Sequence, residues 1–248
     1  MTDRSFNPGQ FDDSPPDKSF ADNPVTPRDA ATMILVRSDG PQPRILMGQR
    51  AGGHDFMPNK YVFPGGRMDP ADQIIRPIGQ LASSCRSLLL KKSNVSPEGL
   101  ALSAIRETFE ETGLLIGENS TSTIASSDVE DESWKTFLSQ NVKPSLNHLQ
   151  FIGRAITPPY RPKRFDARFF LARSETVLAQ LKRPMDSHEL LDLRWFTFEE
   201  IAELDLPSIT RFVIGEAQNR IQSPNEDHAP FLTYWQDNES YLERLTNT

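Results

Sequence analysis

The segment Arg106-Glu107-Thr108-Phe109-Glu110-Glu111-Thr112-Gly113 decides how this chain is read. On a helix, residues three and four apart share a face, so Glu107 meets Glu110 and Glu111 while Ile105, Thr108 and Phe109 turn inward. Three carboxylates then occupy one surface. Like charges at that spacing cost an isolated helix about 0.2–0.5 kcal/mol per pair, and a hard cation with oxygen ligands is the natural compensation. The plainer reading is a solvated acidic face. Against it, Arg-Glu-x-x-Glu-Glu-x-Gly arises by accident in roughly one chain of this length in several thousand. The helix is predicted to open at Ser96 as cap, with Pro97 in its first position and Glu98 in its first turn, and to end at Gly113.

Upstream, Tyr61-Val62-Phe63 reads as a strand running into Pro64-Gly65-Gly66, where paired glycines allow a tight turn and a close approach to the backbone. Arg67, Asp69 and Asp72 follow. Between that turn and the helix, Ile78, Leu81, Cys85, Leu88 and Leu89 fall at helical spacing, with Lys91 and Lys92 at the end where a helix dipole favours cations. Further back, 31–37 and 44–50 are apolar runs separated by Ser38-Asp39-Gly40-Pro41, hence two strands and a turn. Downstream, 114–116 is expected to start a strand, 118–132 to be a polar surface loop, and 134–138 to form a short helix. Strands are expected at 151–156, 168–172 and 189–195. Helices are expected from Thr197 and, capped by Ser208, with Phe212, Val213 and Ala217 inward. The basic cluster Arg161, Lys163, Arg164 suits either a solvated loop or a phosphate.

Residues 1–28 hold five prolines among Asp, Ser and Asn and read as a disordered or draped tail. The fold is expected to begin near Ala30. Residues 221–248, with Pro230, Phe231, Trp235, Tyr241 and Leu242, read as an extension with enough aromatic surface to dock. A chain of 248 residues with 37% apolar content can bury one sizeable core. The net charge of -7 and pI near 5.2 argue against broad nucleic-acid or anionic-membrane binding. A single cysteine, Cys85, forms no intrachain disulfide and suits a reducing compartment. No apolar run is long enough to span a bilayer and 1–20 lacks a signal-peptide core, so a soluble, cytoplasmic protein is expected.

The helix motif with the glycine turn resembles the Nudix hydrolase family, whose signature is Gly, five residues, Glu, seven residues, Arg-Glu-apolar-x-Glu-Glu-x-Gly-apolar. Glu98 and Arg106 through Leu114 match its second half, with Thr108 at a position usually apolar. The first half is split. Gly66 stands 32 residues before Glu98 (98 − 66) where the signature has six, an insertion of 26 (32 − 6). The split box resembles the peroxisomal CoA diphosphatase-like branch, as do Phe63-Pro64-Gly65-Gly66-Arg67-Met68-Asp69-Pro70-Ala71-Asp72 and Arg164-Phe165-Asp166-Ala167-Arg168-Phe169-Phe170.

The resemblance implies an α+β Nudix fold, a mixed β-sheet sandwiched between α-helices, covering 29–220 with an insertion at 73–97. It implies hydrolysis of a diphosphate in a nucleoside diphosphate derivative, CoA or acyl-CoA before others, using Mg²⁺ or Mn²⁺ and water. By the same resemblance Glu107, Glu110, Glu111 and the Gly66 carbonyl are metal ligands, and Arg106 orients the glutamates. Glu110 is the first candidate for the general base and Glu189, in Asp186-Ser187-His188-Glu189, the second. Arg67, Arg50 and Arg164 are candidates for substrate phosphates. Glu98 serves equally well as favourable charge in a helix's first turn. His54 and His188 read as ordinary polar residues. The partner is a small-molecule nucleotide, with neither nucleic acid nor membrane and with a homodimer left open. Two alternatives stand beside this reading: action on dinucleotides, nucleotide sugars or modified nucleoside triphosphates, and a non-catalytic nucleotide-sensing domain. The insertion is expected to loop outside the site as a lid, an oligomer contact or a passive decoration, and Gly66 to lie beside the three glutamates.

Overall fold

The computed structural model describes residues 23–53, 58–120, 129–180, 182–237 and 239–247. Most of the N-terminal tail and His54 therefore lie outside the described residues, as does 121–128 of the polar loop. The strands are β1 (Arg28–Arg37), β2 (Arg44–Arg50), β3 (Tyr61–Val62), β4 (Gly65–Arg67), β5 (Gly117–Asn119), β6 (Val142–Pro144), β7 (Gln150–Ile156), β8 (Phe165–Arg173), β9 (Leu190–Thr197), β10 (Phe231–Gln236) and β11 (Glu239–Arg244). The helices are α1 (Ser83–Leu89), α2 (Pro97–Thr112), α3 (Glu132–Ser139), α4 (Ser174–Val177), α5 (Phe198–Ala202) and α6 (Ser208–Gln222).

Nine strands form one mixed sheet in the order β11-β10-β7-β8-β1-β2-β3, with β4 on β1 and β9 on β2. The β1–β8 and β7–β10 pairs are parallel and the others antiparallel. Side chains alternate across a strand, and β1 divides accordingly. Met33 and Leu35 join the core under α2, whereas Ile34 and Val36 join the core under α6. Leu46 sides with the first group, and Ile45 and Met47 with the second. Apolar residues buried on both faces of one sheet give the expected three-layer α/β/α sandwich.

Helix α2 is capped as its sequence dictates. The Ser96 hydroxyl accepts from the Gly99 N–H, and Gly113 closes the helix in the left-handed region at φ 71°. Thr108 is fully buried at its usually apolar position, where its hydroxyl donates to the Ala104 carbonyl at 2.7 Å. Phe109 is half-buried and meets Phe137 edge-on.

Several expectations are corrected. The glycine segment is a short strand, β4, antiparallel to β1, rather than a bare turn. Residues 114–116 form no strand; Ile116 makes only an isolated bridge to Leu178, and β5 starts at Gly117. In the polar loop, β5 pairs with β6 and α3 begins at Glu132, capped by Asp131. Ser208 is the first residue of α6 and not its cap; Pro207 holds that position without a side-chain bond. Ile78 bridges Ser145, so α1 starts only at Ser83.

No described residue of the insertion lines the cleft, but the insertion is packed into the fold rather than a passive decoration. Leu81, Cys85, Leu88 and Leu89 are buried in the α2-side core. Arg154 donates to the carbonyls of Lys91 and Lys92, and Arg168 to the Ser93 hydroxyl, fixing the far end of the insertion to β7 and β8. The C-terminal residues dock as a hairpin, β10–β11, that adds two strands to the sheet beside β7.

Candidate active site

The packing of β4 on β1 brings the two halves of the split motif together. Gly65 has φ 155°, and a Cβ there would lie 2.5 Å from the Ala31 carbonyl oxygen, so only glycine fits. Its N–H donates to Glu111 Oε2 at 2.8 Å. A Cβ on Gly66 would overlap the Glu107 carboxylate. The glycine strand therefore lies directly against the carboxylate face of α2.

Arg106 organises that face from beneath. It is 5% exposed and donates to Asp72 Oδ1 (Nε, 2.8 Å), Asp72 Oδ2 (Nη2, 3.1 Å), the Arg67 carbonyl (2.8 Å) and, through Nη1, Glu107 at 2.9 Å and both Glu110 oxygens at 3.1 Å. Asp72 is fully buried and also accepts from Trp134 Nε1 at 2.8 Å and from the Asp69 N–H at 2.7 Å. Burial works against the Arg106 charge, but the Asp72 bonds and the fields of Glu107, Asp72 and Glu110 carry its pKa above the usual arginine value. Arg106 is thus a fixed cation that sets the directions of two glutamates.

Desolvation dominates the carboxylates themselves. Burial, with Glu110 and Asp72 adding to it, pushes the Glu107 carboxyl up to about 7 despite Arg106 beside it. Burial and the neighbouring Glu107 and Glu189 hold Glu111 well above the ordinary carboxylate range. Arg50, at the end of β2, is lowered by its burial, while Glu111, Glu189 and Glu107 act to raise it. It therefore sits among the carboxylates rather than out in the cleft alone. The Ala51 N–H donates to the Glu189 carbonyl at 3.0 Å, which ties the Glu189 loop to the end of β2.

A cleft of about 530 Å³ opens over these groups. Glu107, Glu110, Gly65, Gly66, Arg67, Arg50 and Glu189 line its active end. Glu111 lies beneath the surface, bonded to Gly65. Arg164 is the misplaced candidate. Its guanidinium donates to the carbonyls of Thr157 (3.0 Å) and Val25 (2.7 Å) and does not line the cleft, whereas Arg161 of the same cluster and Arg28 do. Glu98 pairs with Arg86 of the insertion at 2.8 Å on the surface. His188 is exposed.

The donor set fits a hard cation in chemistry: all oxygen, on one helix face, against a glycine backbone, with burial first and the neighbouring Glu110 second raising the cost of ionising Glu107. Among the described residues no three acidic, histidine or cysteine side chains converge in metal-ligating geometry. Glu107 and Glu110 point to Arg106, and Glu111 points to Gly65. Asp72, beside the glycine segment, and Trp134, in a short helix, are named by the sequence without a part in the site. Asp72 and Trp134 lie 62 positions apart, and only the burial of both beside Arg106 reveals them. Asp69 caps the 3-10 turn Pro70–Gln73, and Asp72 within that turn accepts in return from the Asp69 N–H.

No family model matches the chain. It is similar to a putative nudix hydrolase 7 of Caenorhabditis elegans, 31% identical over 153 residues, which is 58% of this chain and 43% of that protein. The chain thus spans less than half the length of the curated relative it matches. Among solved structures, a NUDIX hydrolase from Alicyclobacillus acidocaldarius superposes with a TM-score of 0.61 at 24% identity, over 83% of this chain and 99% of that one. This likeness shows that the chain has the Nudix fold. Among the described residues no helix is long and apolar enough to cross a membrane.

Proposed function

We propose that the protein is a metal-dependent hydrolase that cleaves the diphosphate of a nucleoside diphosphate derivative by water attack on phosphorus, with CoA and acyl-CoA as its substrates. One observation carries the reading: the carboxylate face of α2 lies against Gly65 and Gly66 at the mouth of a cleft that also holds Arg28, Arg67 and Arg161. The CoA assignment is supported by the split motif and by its resemblance over 63–72 and 164–170. A cytoplasmic location, with Cys85 reduced and buried, belongs to the same proposal.

Arg67 and Arg50, at the carboxylate end of the cleft, hold the phosphate oxygens and offset their charge. Mg²⁺ or Mn²⁺, held by Glu107, Glu110, Glu111 and the Gly66 carbonyl, would neutralise developing charge on the diphosphate and acidify the attacking water. Arg106, pinned by Asp72, keeps the glutamates from drifting apart when no cation is bound. As the oxygen–phosphorus bond of water forms and the bridging oxygen–phosphorus bond breaks, the water proton passes to a carboxylate and the leaving phosphate departs as an anion. Glu110 is the nominated acceptor. A second reading gives this role to Glu189, because Arg106 Nη1 already donates to both oxygens of Glu110 and so occupies them.

Purified protein is to be assayed with Mg²⁺ or Mn²⁺ against CoA, acyl-CoAs, NADH, ADP-ribose, nucleotide sugars and nucleoside triphosphates. CoA species turned over fastest, with Glu110→Gln inactive and correctly folded, is the expected result. Near-normal turnover by Glu110→Gln would overturn the metal site. Fast turnover of another class with CoA untouched would overturn the substrate.

A further inference from the structure

The floor of the cleft is a set of rows running across the strands. Arg67 on β4 lies opposite Ala30, Ala30 beside Ala167, Ala167 opposite Ala155, and Ala155 beside Thr233, and all five line the cleft. Four inter-strand steps of about 4.8 Å each place Thr233 roughly 19 Å from Arg67. Three alanines in succession make this row a trough, because a methyl group projects less than any neighbour. Phe169 in the row on one side and Phe165 in the row on the other stand higher. The trough leads from the glycine strand, where the carboxylates meet the cleft, to the C-terminal hairpin.

At that far end the chemistry changes from charged to aromatic. Phe231, Thr233 and Trp235 share one face of β10 by strand alternation. Phe231 is buried in the α6-side core, Thr233 ends the alanine row, and Trp235, two residues further along β10 on the Phe165 side of the trough, also lines the cleft. Trp235 meets Tyr160 edge-on, centroids 5.3 Å apart and planes at 88°. One T-shaped contact occupies at most one of the two faces of the indole. Ile156, next to Ala155 on β7, and Arg161, next in sequence to Tyr160, also line the cleft. An aromatic platform beside a cation is the arrangement on which nucleobases stack.

We infer that the alanine trough and the C-terminal hairpin form the site for the aromatic base of the substrate, with Trp235 as its specificity-determining residue. The inference rests on the hydrolase reading for the placement of the diphosphate at the Arg67 end. The sugar then crosses the alanine row and the base lies at Trp235. A base-free diphosphate uses only the charged end and gains nothing from the hairpin.

Calorimetric titration of the full chain in Mg²⁺ buffer with ADP, and separately with inorganic pyrophosphate, tests this. Trp235→Ala should weaken ADP about tenfold or more, within the range of lost base stacking, and leave pyrophosphate within twofold. Ala167→Leu, which fills the trough from another strand, should do the same. Trp235→Phe should restore most of the ADP affinity. Unchanged ADP affinity in both Trp235→Ala and Ala167→Leu, equal losses for ADP and pyrophosphate, or no ADP binding by the wild-type chain would overturn the inference. The expected pattern without turnover of any diphosphate substrate would support the base site and overturn the hydrolase reading alone.

Discussion

Replacing Asp72 with asparagine changes one atom and tests what holds the carboxylate face in place. Asp72 Oδ1 accepts from Arg106 Nε and Trp134 Nε1, and Oδ2 accepts from Arg106 Nη2 and the Asp69 N–H. Whichever oxygen becomes the amide nitrogen, two buried donors lose their acceptor and face another donor. Each such group costs about 1–3 kcal/mol. Arg106 also loses its fully buried counter-charge and keeps only the more exposed Glu107 and Glu110; breaking a buried pair costs about 3–5 kcal/mol. These two views of the same loss agree on about 4 kcal/mol, or roughly 8–16 °C in Tm for a domain of this size. Urea unfolding of wild type and Asp72→Asn, followed by tryptophan emission and circular dichroism, measures it. Glu98→Gln is the control, since it removes an exposed pair with Arg86 and a first-turn charge and should cost about 1 kcal/mol or less. A cost below about 1 kcal/mol for Asp72→Asn would refute the claim that Asp72 anchors Arg106.

Leu89→Ala, in the insertion, should cost about 2–5 kcal/mol, because the side chain is 1% exposed within the main core; a loss below about 0.5 kcal/mol in denaturant melts would return the insertion to the status of a decoration. Glu216 on α6 carries the pH prediction. Burial raises its pKa, but bonds from Arg244 and Arg220 outweigh burial and leave it below the ordinary glutamate value. A carboxylate depressed in the folded state adds stability above the unfolded pKa and loses it as pH falls through the folded one. Thermal melts from pH 7 to 3 should therefore show wild type losing stability below about pH 4.5, and Glu216→Gln, already weakened by about 3–5 kcal/mol at pH 7, losing less over the same range; parallel curves would show that the ion pair contributes nothing.

Helix α2 was legible almost to the residue because its signals are local. Ser96 and Gly113 mark its ends, and the 3.6-residue period selects its carboxylate face. The site's other half was harder. Gly65 and Gly66 have low strand propensity, and only the tertiary fit against Ala31 and Thr32 makes them a strand. Ile78 fell in helical register with Leu81 and Cys85, yet its backbone bridges Ser145, a distant partner that no window around residue 78 contains. The same limit applies to Asp72 with Trp134 and to Trp235 with the cleft. Arg164 could not be told from Arg161 by spacing, since both belong to one loop and their directions depend on the carbonyls of Thr157 and Val25.

The parallel pairing of β1 with β8 sets an order of assembly. Across it Arg168 donates to Asp29, 139 residues away in sequence. During synthesis β1 and β2 can close as a hairpin and α2 can form, but the centre of the sheet lacks its β8 neighbour until that strand emerges. The β10 edge follows later still. Non-local pairing of this kind slows folding and exposes apolar strand faces meanwhile. The charged helix carrying the candidate chemistry is therefore made before the floor over which its substrate would lie.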